Sequence, residues 1–420
     1  MKVLWFSNAL FSTERKNATG TWLHTMSEAL VAQGVVLANI SQSDKVNKIS
    51  RFDVGGIKQW VLPKFHLYNG LPSRNNIQKI QSIVESFQPD LIHIWGVESY
   101  WGLLSSRGYL KGAILLEMQG IKFSCVNVFW GGLSIKDVLS TIGIKEIVKP
   151  SLSLIGRRNE FNRWGRYEKE MLSKHDFICT QSEWVRSIIA PYIKRNCSIL
   201  NTECIVRKEF LNSKQWGPHL DRTSPVVFTM SSQPHAFKGI HDVINAVSIL
   251  KHKYPAIELR IAGSFGAERS FLRMAGYTRF LLRLIKKNNL QKNVKFLGAI
   301  NEEQLIDEML NADVMVQPSY VESYSLALAE TMCVGLPAVV SFAGAMPELA
   351  KDNETALFYS PSDFYRCAYL INKLFDSKQL SRDISFKARE LALERNSSKN
   401  IVELQIENYK SIINRTCIKG

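Results

Sequence analysis

Twice along the chain, short apolar runs alternate with segments whose apolar residues recur at helical spacing, and that double alternation limits the fold more than any other feature. Residues 3–7 read as a strand. Trp22, Leu23, Met26, Ala29 and Leu30 then share one helix face, Gly34 ends the helix, and 35–40 form a second strand. Ile77, Ile80, Val84 and Phe87 repeat the helical spacing before Pro89 and Asp90, and strands follow at 91–95, 113–117, 177–180 and 198–200. A polar, turn-rich stretch at 212–225 reads as a linker. The alternation restarts with strands at 226–230, 257–262, 294–297, 314–317 and 338–341. Helices at 239–250, up to about 289, at 302–310 and from 325 separate them. Parallel sheets covered by helices on both faces have this signature. The expected architecture is α/β, two doubly wound Rossmann-like domains facing across a cleft, the first over 1–215 and the second over 216–395. Ligands of such sheets bind outside the carboxyl ends of the strands, so function is expected in the strand-to-helix loops.

Composition narrows the classes. Hydrophobic residues at 45% and aromatic residues at 10% exclude wholesale disorder. The longest stretch free of Asp, Glu, Lys and Arg covers 331–347 and is broken by Gly335, Pro337, Gly344 and Pro347, so no membrane-spanning helix is expected. The apolar N-terminus is interrupted by Ser7 and Asn8 and lacks a small-residue cleavage site, which favours a first strand over a signal peptide. Seven scattered cysteines without a Cys-x-x-Cys pair fit neither a zinc site nor a disulfide framework, and suit a reducing cytoplasm. The unusual number is the net charge of +15, from 53 Lys+Arg against 38 Asp+Glu. It implies an anionic partner: nucleic acid, a phosphorylated small molecule or a membrane surface.

The strongest candidate site is the stretch 317–349, QPSYVESYSLALAETMCVGLPAVVSFAGAMPEL. A strand ends at Gln317, a loop holds Glu322, and a helix begins near Tyr324 or Ser325. Glu330 follows Glu322 by about two helical turns, roughly on the same face. Backbone N–H groups of Ser323 to Leu326 at the helix start suit a phosphate, while carboxylates there suit sugar hydroxyls. On these residues alone, Glu322 is also readable as a helix-dipole carboxylate and Glu330 as a solvated helix residue.

The same stretch resembles the signature of the retaining nucleotide-sugar glycosyltransferases of family 4, P-S-x-x-E-G-F-G-L-x-x-x-E-A-M-A-x-G-x-P-V-V followed by G-G-x-P-E. Pro318, Ser319, Glu322, Tyr324, Leu326, Glu330, Met332, Gly335, Pro337, Gly344, Pro347 and Glu348 carry the resemblance, with Ser323 and Ser325 where glycines are usual. HAFKGIHDVINAV is similar to the family's K-G-x-x-x-x-I-x-A element, which places Lys238 on the donor diphosphate. Read alone, Lys238 is a surface lysine before a helix. An arginine that shares this work in the family is missing at 231–233, and Arg269 and Arg273 are the candidate substitutes. LIHIWG resembles the family's strand ending in histidine, so His93 is either a ligand contact or an interior histidine. NATGTWLHTMSEAL resembles the glycine-rich first loop, with Gly20 as its surviving glycine. Gln119 stands where the family commonly has a histidine on the donor sugar; it hydrogen-bonds but cannot carry a proton charge. SILNTECI resembles the strand into an N-G-V-D turn, with Asn201 kept.

The resemblance implies the GT-B fold and a C-terminal helix over 398–413 returning to the first domain. It implies catalytic roles for Glu322, Lys238, His93 and Gln119, and donor contacts from Glu330, Ser323, Tyr324, Ser325, Leu326, Gly20, Gly263 and Asn201. The implied reaction moves a sugar, with retention, from a nucleoside diphosphate sugar to a glycan or lipid-linked acceptor in cell-surface polysaccharide biosynthesis, without a cofactor. No Asp-x-Asp pair occurs, so no metal is expected. Two basic groups, at 157–169 and 269–287, are interleaved with apolar residues and read either as solvated helix faces or as contacts to an anionic membrane surface. Nucleic acid is not expected, because no binding motif accompanies the charge. The expected location is the cytoplasm, peripheral at the inner membrane face. A GT-B sugar-nucleotide epimerase and a non-catalytic glycosyltransferase-like scaffold stand as alternatives.

Overall fold

The computed structural model describes residues 1–11 and 21–419. The chain divides into two compact units: Met1–Phe123 with Arg163–Ile205 and Asn396–Gly420, and Ser124–Asn162 with Val206–Arg395.

The first unit is built on eight strands: β1 (Lys2–Phe6), β2 (Val36–Ser43), β3 (Ser50–Val54), β4 (Ile57–Pro63), β5 (Leu91–Trp95), β6 (Ile114–Glu117), β7 (Phe177–Thr180) and β8 (Ser198–Asn201). They lie in the order β3-β4-β2-β1-β5-β6-β7-β8, parallel except for the β3–β4 hairpin. Central strands such as β5 are buried at every residue, because helices cover both faces of the sheet. Ile77, Ile80, Ile83 and Phe87 of the helix Arg74–Phe87 pack with Leu4, Ile40, Ile92 and Leu116 of the sheet in one core. The hairpin was not visible as apolar alternation, since β3 (SRFDV) is largely exposed; Gly55 and Gly56, both at positive φ, turn it back onto β4.

The C-terminal helix Ser398–Lys419 belongs to this unit. Its Tyr409 is fully buried, and the hydroxyl accepts the indole N–H of Trp5 at 3.1 Å. The same hydroxyl forms a hydrogen bond with His93 Nδ1 at 2.7 Å.

The second unit holds six strands: β9 (Val226–Met230), β10 (Glu258–Ala262), β11 (Val294–Gly298), β12 (Val314–Gln317), β13 (Ala338–Ser341) and β14 (Leu357–Tyr359). All are parallel, in the order β11-β10-β9-β12-β13-β14. Strand order reverses between β9 and β12, and such a reversal opens a crevice at the carboxyl ends of the two strands. The long helix expected up to about 289 is shorter, Gly276–Lys287, because Gly263 and Gly266 at positive φ hold the preceding residues in a loop.

Ser124–Asn162, read from sequence as part of the first domain, clusters with the second unit. Its short helices Ile135–Ser140 and Ile144–Val148 are fixed there by a buried ion pair between Glu146 and Arg279. Arg279 also donates to the carbonyls of Thr141 at 3.0 Å and Met274 at 2.8 Å. His241 Nε2 donates to the Gly131 carbonyl at 2.8 Å, while Nδ1 accepts from the Tyr277 hydroxyl at 2.7 Å. Among the described residues, no helix is long and apolar enough to cross a membrane.

Candidate functional site

The crevice between β9 and β12 is flanked by the loops that follow those strands, and both carry candidate residues. After β9, the single 3-10 turn Ala236–Lys238 ends at Gly239, which adopts φ +69° and starts the helix Ile240–Leu250. A Cβ on Gly239 would overlap the carbonyl oxygen of Pro318, so the two loops approach as closely as backbone allows. After β12, Glu322 Oε1 accepts three hydrogen bonds: from Lys238 Nζ at 2.6 Å, Ser319 Oγ at 2.7 Å and Gln317 Nε2 at 3.1 Å. The carboxylate is thereby aimed by its own loop and paired with the one candidate cation from the opposite loop. Gly344 packs on the backbone of Glu322 where any Cβ would collide, and Ala345 N–H donates to the Glu322 carbonyl at 2.9 Å. Gly263 plays the matching part after β10, lying against the Ser231 carbonyl with no space for a side chain.

The helix begins at Leu326, with Ser325 as its N-cap, so Glu322 stands outside it and does not share a helix face with Glu330. Tyr324 is buried, whereas Ser323 and Leu326 are half-buried. Glu330 faces inward at 5% exposure and receives Arg207 Nε at 2.7 Å; the same guanidinium reaches Glu302 at 3.1 Å. Burial raises the Glu330 pKa and Arg207 opposes the rise. Arg207 is the charged residue that sequence reasoning missed. It lies 123 positions from Glu330, in a segment (VRKEF) with no motif to mark it. Arg269, a candidate phosphate partner, is instead largely exposed beside Glu268 at 3.8 Å.

In the first unit, His93 is completely buried on β5, stacked on Trp95 and bonded to Tyr409. In this structure His93 is an interior histidine, and burial lowers its pKa well below the usual value. Nε2 lies 3.5 Å from Glu117 Oε2. Asn201, at the end of β8, is exposed and accepts Arg186 Nη2 at 2.7 Å. Gln119 sits at the carboxyl end of β6, half-buried and close to Gly96 and Glu98. Gly20 lies outside the described residues.

Burial pushes Glu117 up to about 8. The folded state then holds a proton that the unfolded chain releases near 4.5, so stability falls as pH rises from about 4.5 to 8. Glu117→Gln is expected to flatten that slope and to raise the urea midpoint at pH 8. A midpoint that falls alike at pH 5 and pH 8 would contradict this.

Residues 214–391 match the family model described as Glycosyl transferases group 1, a region that includes Lys238, Glu322 and Glu330 but not Arg207. Solved structures align over nearly all of the chain. Sucrose-phosphate synthase from Thermosynechococcus elongatus superposes with a TM-score of 0.75 at 17% identity, covering 99% of each chain. Anabaena HepE in complex with UDP-glucose gives 0.67 at 15% identity, covering 98% of this chain and 100% of that one. The fold is GT-B. Curated relatives include the glycogen synthase of Mycobacterium tuberculosis, 24% identical over 190 residues, covering 45% of this chain and 44% of the relative. Protein CapJ of Staphylococcus aureus is 31% identical over 185 residues, covering 42% and 43%. The matches thus span less than half the length of these curated relatives.

Within this GT-B chain, Ser325 is the departure with a visible cost. Its φ of +97° is a left-handed value that favours glycine, and a non-glycine residue there costs about 1–3 kcal/mol. The Oγ cap to Leu328 N–H, at 3.4 Å, offsets little of this. Ser325→Gly is expected to raise stability by about 0.5–1 kcal/mol, read as a higher unfolding temperature. A fall in that temperature would show that the cap outweighs the strain.

Proposed function

We propose that this chain transfers a glycosyl unit, with retention at the anomeric carbon, from a nucleoside diphosphate sugar to a glycan or lipid-linked acceptor in cell-surface polysaccharide biosynthesis. The observation that carries the reading is the pairing of Lys238 with Glu322 across the loops of β9 and β12, at the strand-order reversal of a region that matches the group 1 family. Anabaena HepE, solved in complex with UDP and with UDP-glucose, supports the donor class.

On this reading Lys238 exchanges partners. In the free chain its ammonium is held by Glu322; a donor diphosphate competes for it and carries more charge than one carboxylate. Release of Lys238 leaves Glu322 Oε1 open to accept a donor-sugar hydroxyl while Ser319 and Gln317 keep the carboxylate aimed. Lys238 and the backbone at the start of the helix Leu326–Val334 then stabilise the diphosphate as it departs, which is electrostatic catalysis by groups already in place. Glu330, neutralised by Arg207, is the proposed ribose contact. No step calls for a metal or a cofactor.

The test is a panel of nucleoside diphosphate sugars, with release of nucleoside diphosphate measured first and the anomer of the product by proton NMR. One donor turned over with its anomeric configuration kept is the expected result. An epimerised donor formed without any acceptor, or an inverted product, would refute the reading.

A further inference from the structure

Of the two basic groups marked in the sequence, the first turns partly inward. Arg158 donates to the Val126 carbonyl at 3.1 Å and stacks on Trp130, while Lys169 lies over the rings of Phe123 and Tyr192. The surface that does need an explanation lies elsewhere, on the second unit. In the helix Ile135–Ser140, Ile135 and Leu139 are one turn apart and point to water at 70% and 52% exposure. In the helix Ile144–Val148, Ile144, Ile147 and Val148 share one face and are exposed at 67% to 80%. Phe271 and Leu272, also well exposed, come from the loop before the helix Gly276–Lys287.

These segments are neighbours, and Arg279 joins them. Its buried guanidinium pairs with Glu146 on one side and lies 5.6 Å from the Phe271 ring on the other. Lys145 Nζ adds a bond to the Arg273 carbonyl at 3.3 Å. Large aliphatic and aromatic side chains standing in water at such density mark an interaction surface. Charge tells which kind. Residues 124–162 hold five Lys or Arg against three Asp or Glu, and 266–290 hold six against one, a combined excess of seven positive charges. Lys136, Lys145, Lys149, Arg273, Lys286 and Lys287 are all exposed, whereas the acidic Glu146 is buried in its ion pair.

We propose that this face docks on an anionic lipid bilayer, with the apolar side chains entering the headgroup boundary and the surrounding lysines and arginines meeting lipid phosphates. Protruding apolar residues in a surround that stays positive overall, with Asp137 and Glu268 as the acids beside them, fit an anionic bilayer surface. Docking of this face does not depend on the donor site, and vesicle binding without any sugar separates the two.

Co-sedimentation of the full chain with vesicles of phosphatidylcholine, alone or with about a third phosphatidylglycerol, tests it. Binding to the anionic vesicles is expected to be at least about tenfold tighter and to weaken as salt rises. Ile147→Ser combined with Val148→Ser is expected to weaken it by about tenfold or more, without lowering the unfolding temperature, because both side chains face water in the free chain. Lys145→Glu with Lys149→Glu should do the same through charge. Equal binding to neutral vesicles, no binding, or a double serine variant that binds like the parent would overturn the proposal. A concentration-dependent dimer dissolved by the serine substitutions would overturn it too, by giving the face to a second copy of the chain.

Discussion

Lys238→Ala is expected to lower turnover of a nucleoside diphosphate sugar by about 10²–10³-fold, the loss typical when one preorganised group facing developing charge is removed. Stability should hardly move. Glu322 keeps its hydrogen bonds from Ser319 and Gln317, and the lost ion pair is partly exposed, so the change stays within about 1 kcal/mol. Glu322→Ala should be as damaging to turnover for a different reason: the ammonium remains, but the acceptor for the sugar hydroxyl is gone. The pair therefore makes a joint prediction, two inactive proteins with near-parental unfolding temperatures. Full activity in both would sink the mechanism, and an inactive variant that melts early would count as a folding defect.

Arg207→Ala is expected to be costly in the opposite way, through stability. It leaves Glu330 buried in the middle of the helix Leu326–Val334 without its cation, and breaking a buried pair from one side costs about 3–5 kcal/mol. The pH dependence gives this prediction its sign. Burial already raises the Glu330 pKa, and without Arg207 nothing of comparable strength opposes it. The folded variant then binds a proton that the unfolded chain releases near 4.5, so its stability falls as pH rises above that value. Chemical denaturation should show the variant recovering toward the parent at acid pH, and Glu330→Gln should rescue it near neutral pH. A deficit that is the same at every pH would show that Arg207 acts by packing alone.

Much of the architecture was legible because apolar runs were long enough to count. The strands β5, β7, β9, β12 and β13 fall where the alternation placed them, and each is buried at nearly every residue. What escaped was structure that carries no apolar period. β3 is polar and exposed, β14 is three residues long, and the short helices of Ser124–Asn162 are tied to the second unit by Glu146 and Arg279, 133 positions apart. The candidate site divides the same way. Lys238 and Glu322 were marked by the resemblance of their stretches to a family signature, and Gly239 and Gly344 beside them stand where a Cβ would meet backbone. Pairings were not. That Arg207 would occupy Glu330, or that Tyr409 would seal His93 inside its sheet, depends on where distant segments come to rest.

On the proposed reading, the loops after β9 and β12 hold the diphosphate of a sugar nucleotide. Calorimetric titration of nucleoside diphosphates into the parent chain and into Lys238→Ala tests it most directly. At least one diphosphate is expected to bind the parent, and the variant to bind it at least about tenfold more weakly, the loss of one charge-assisted contact. Equal affinity in the two proteins would contradict it.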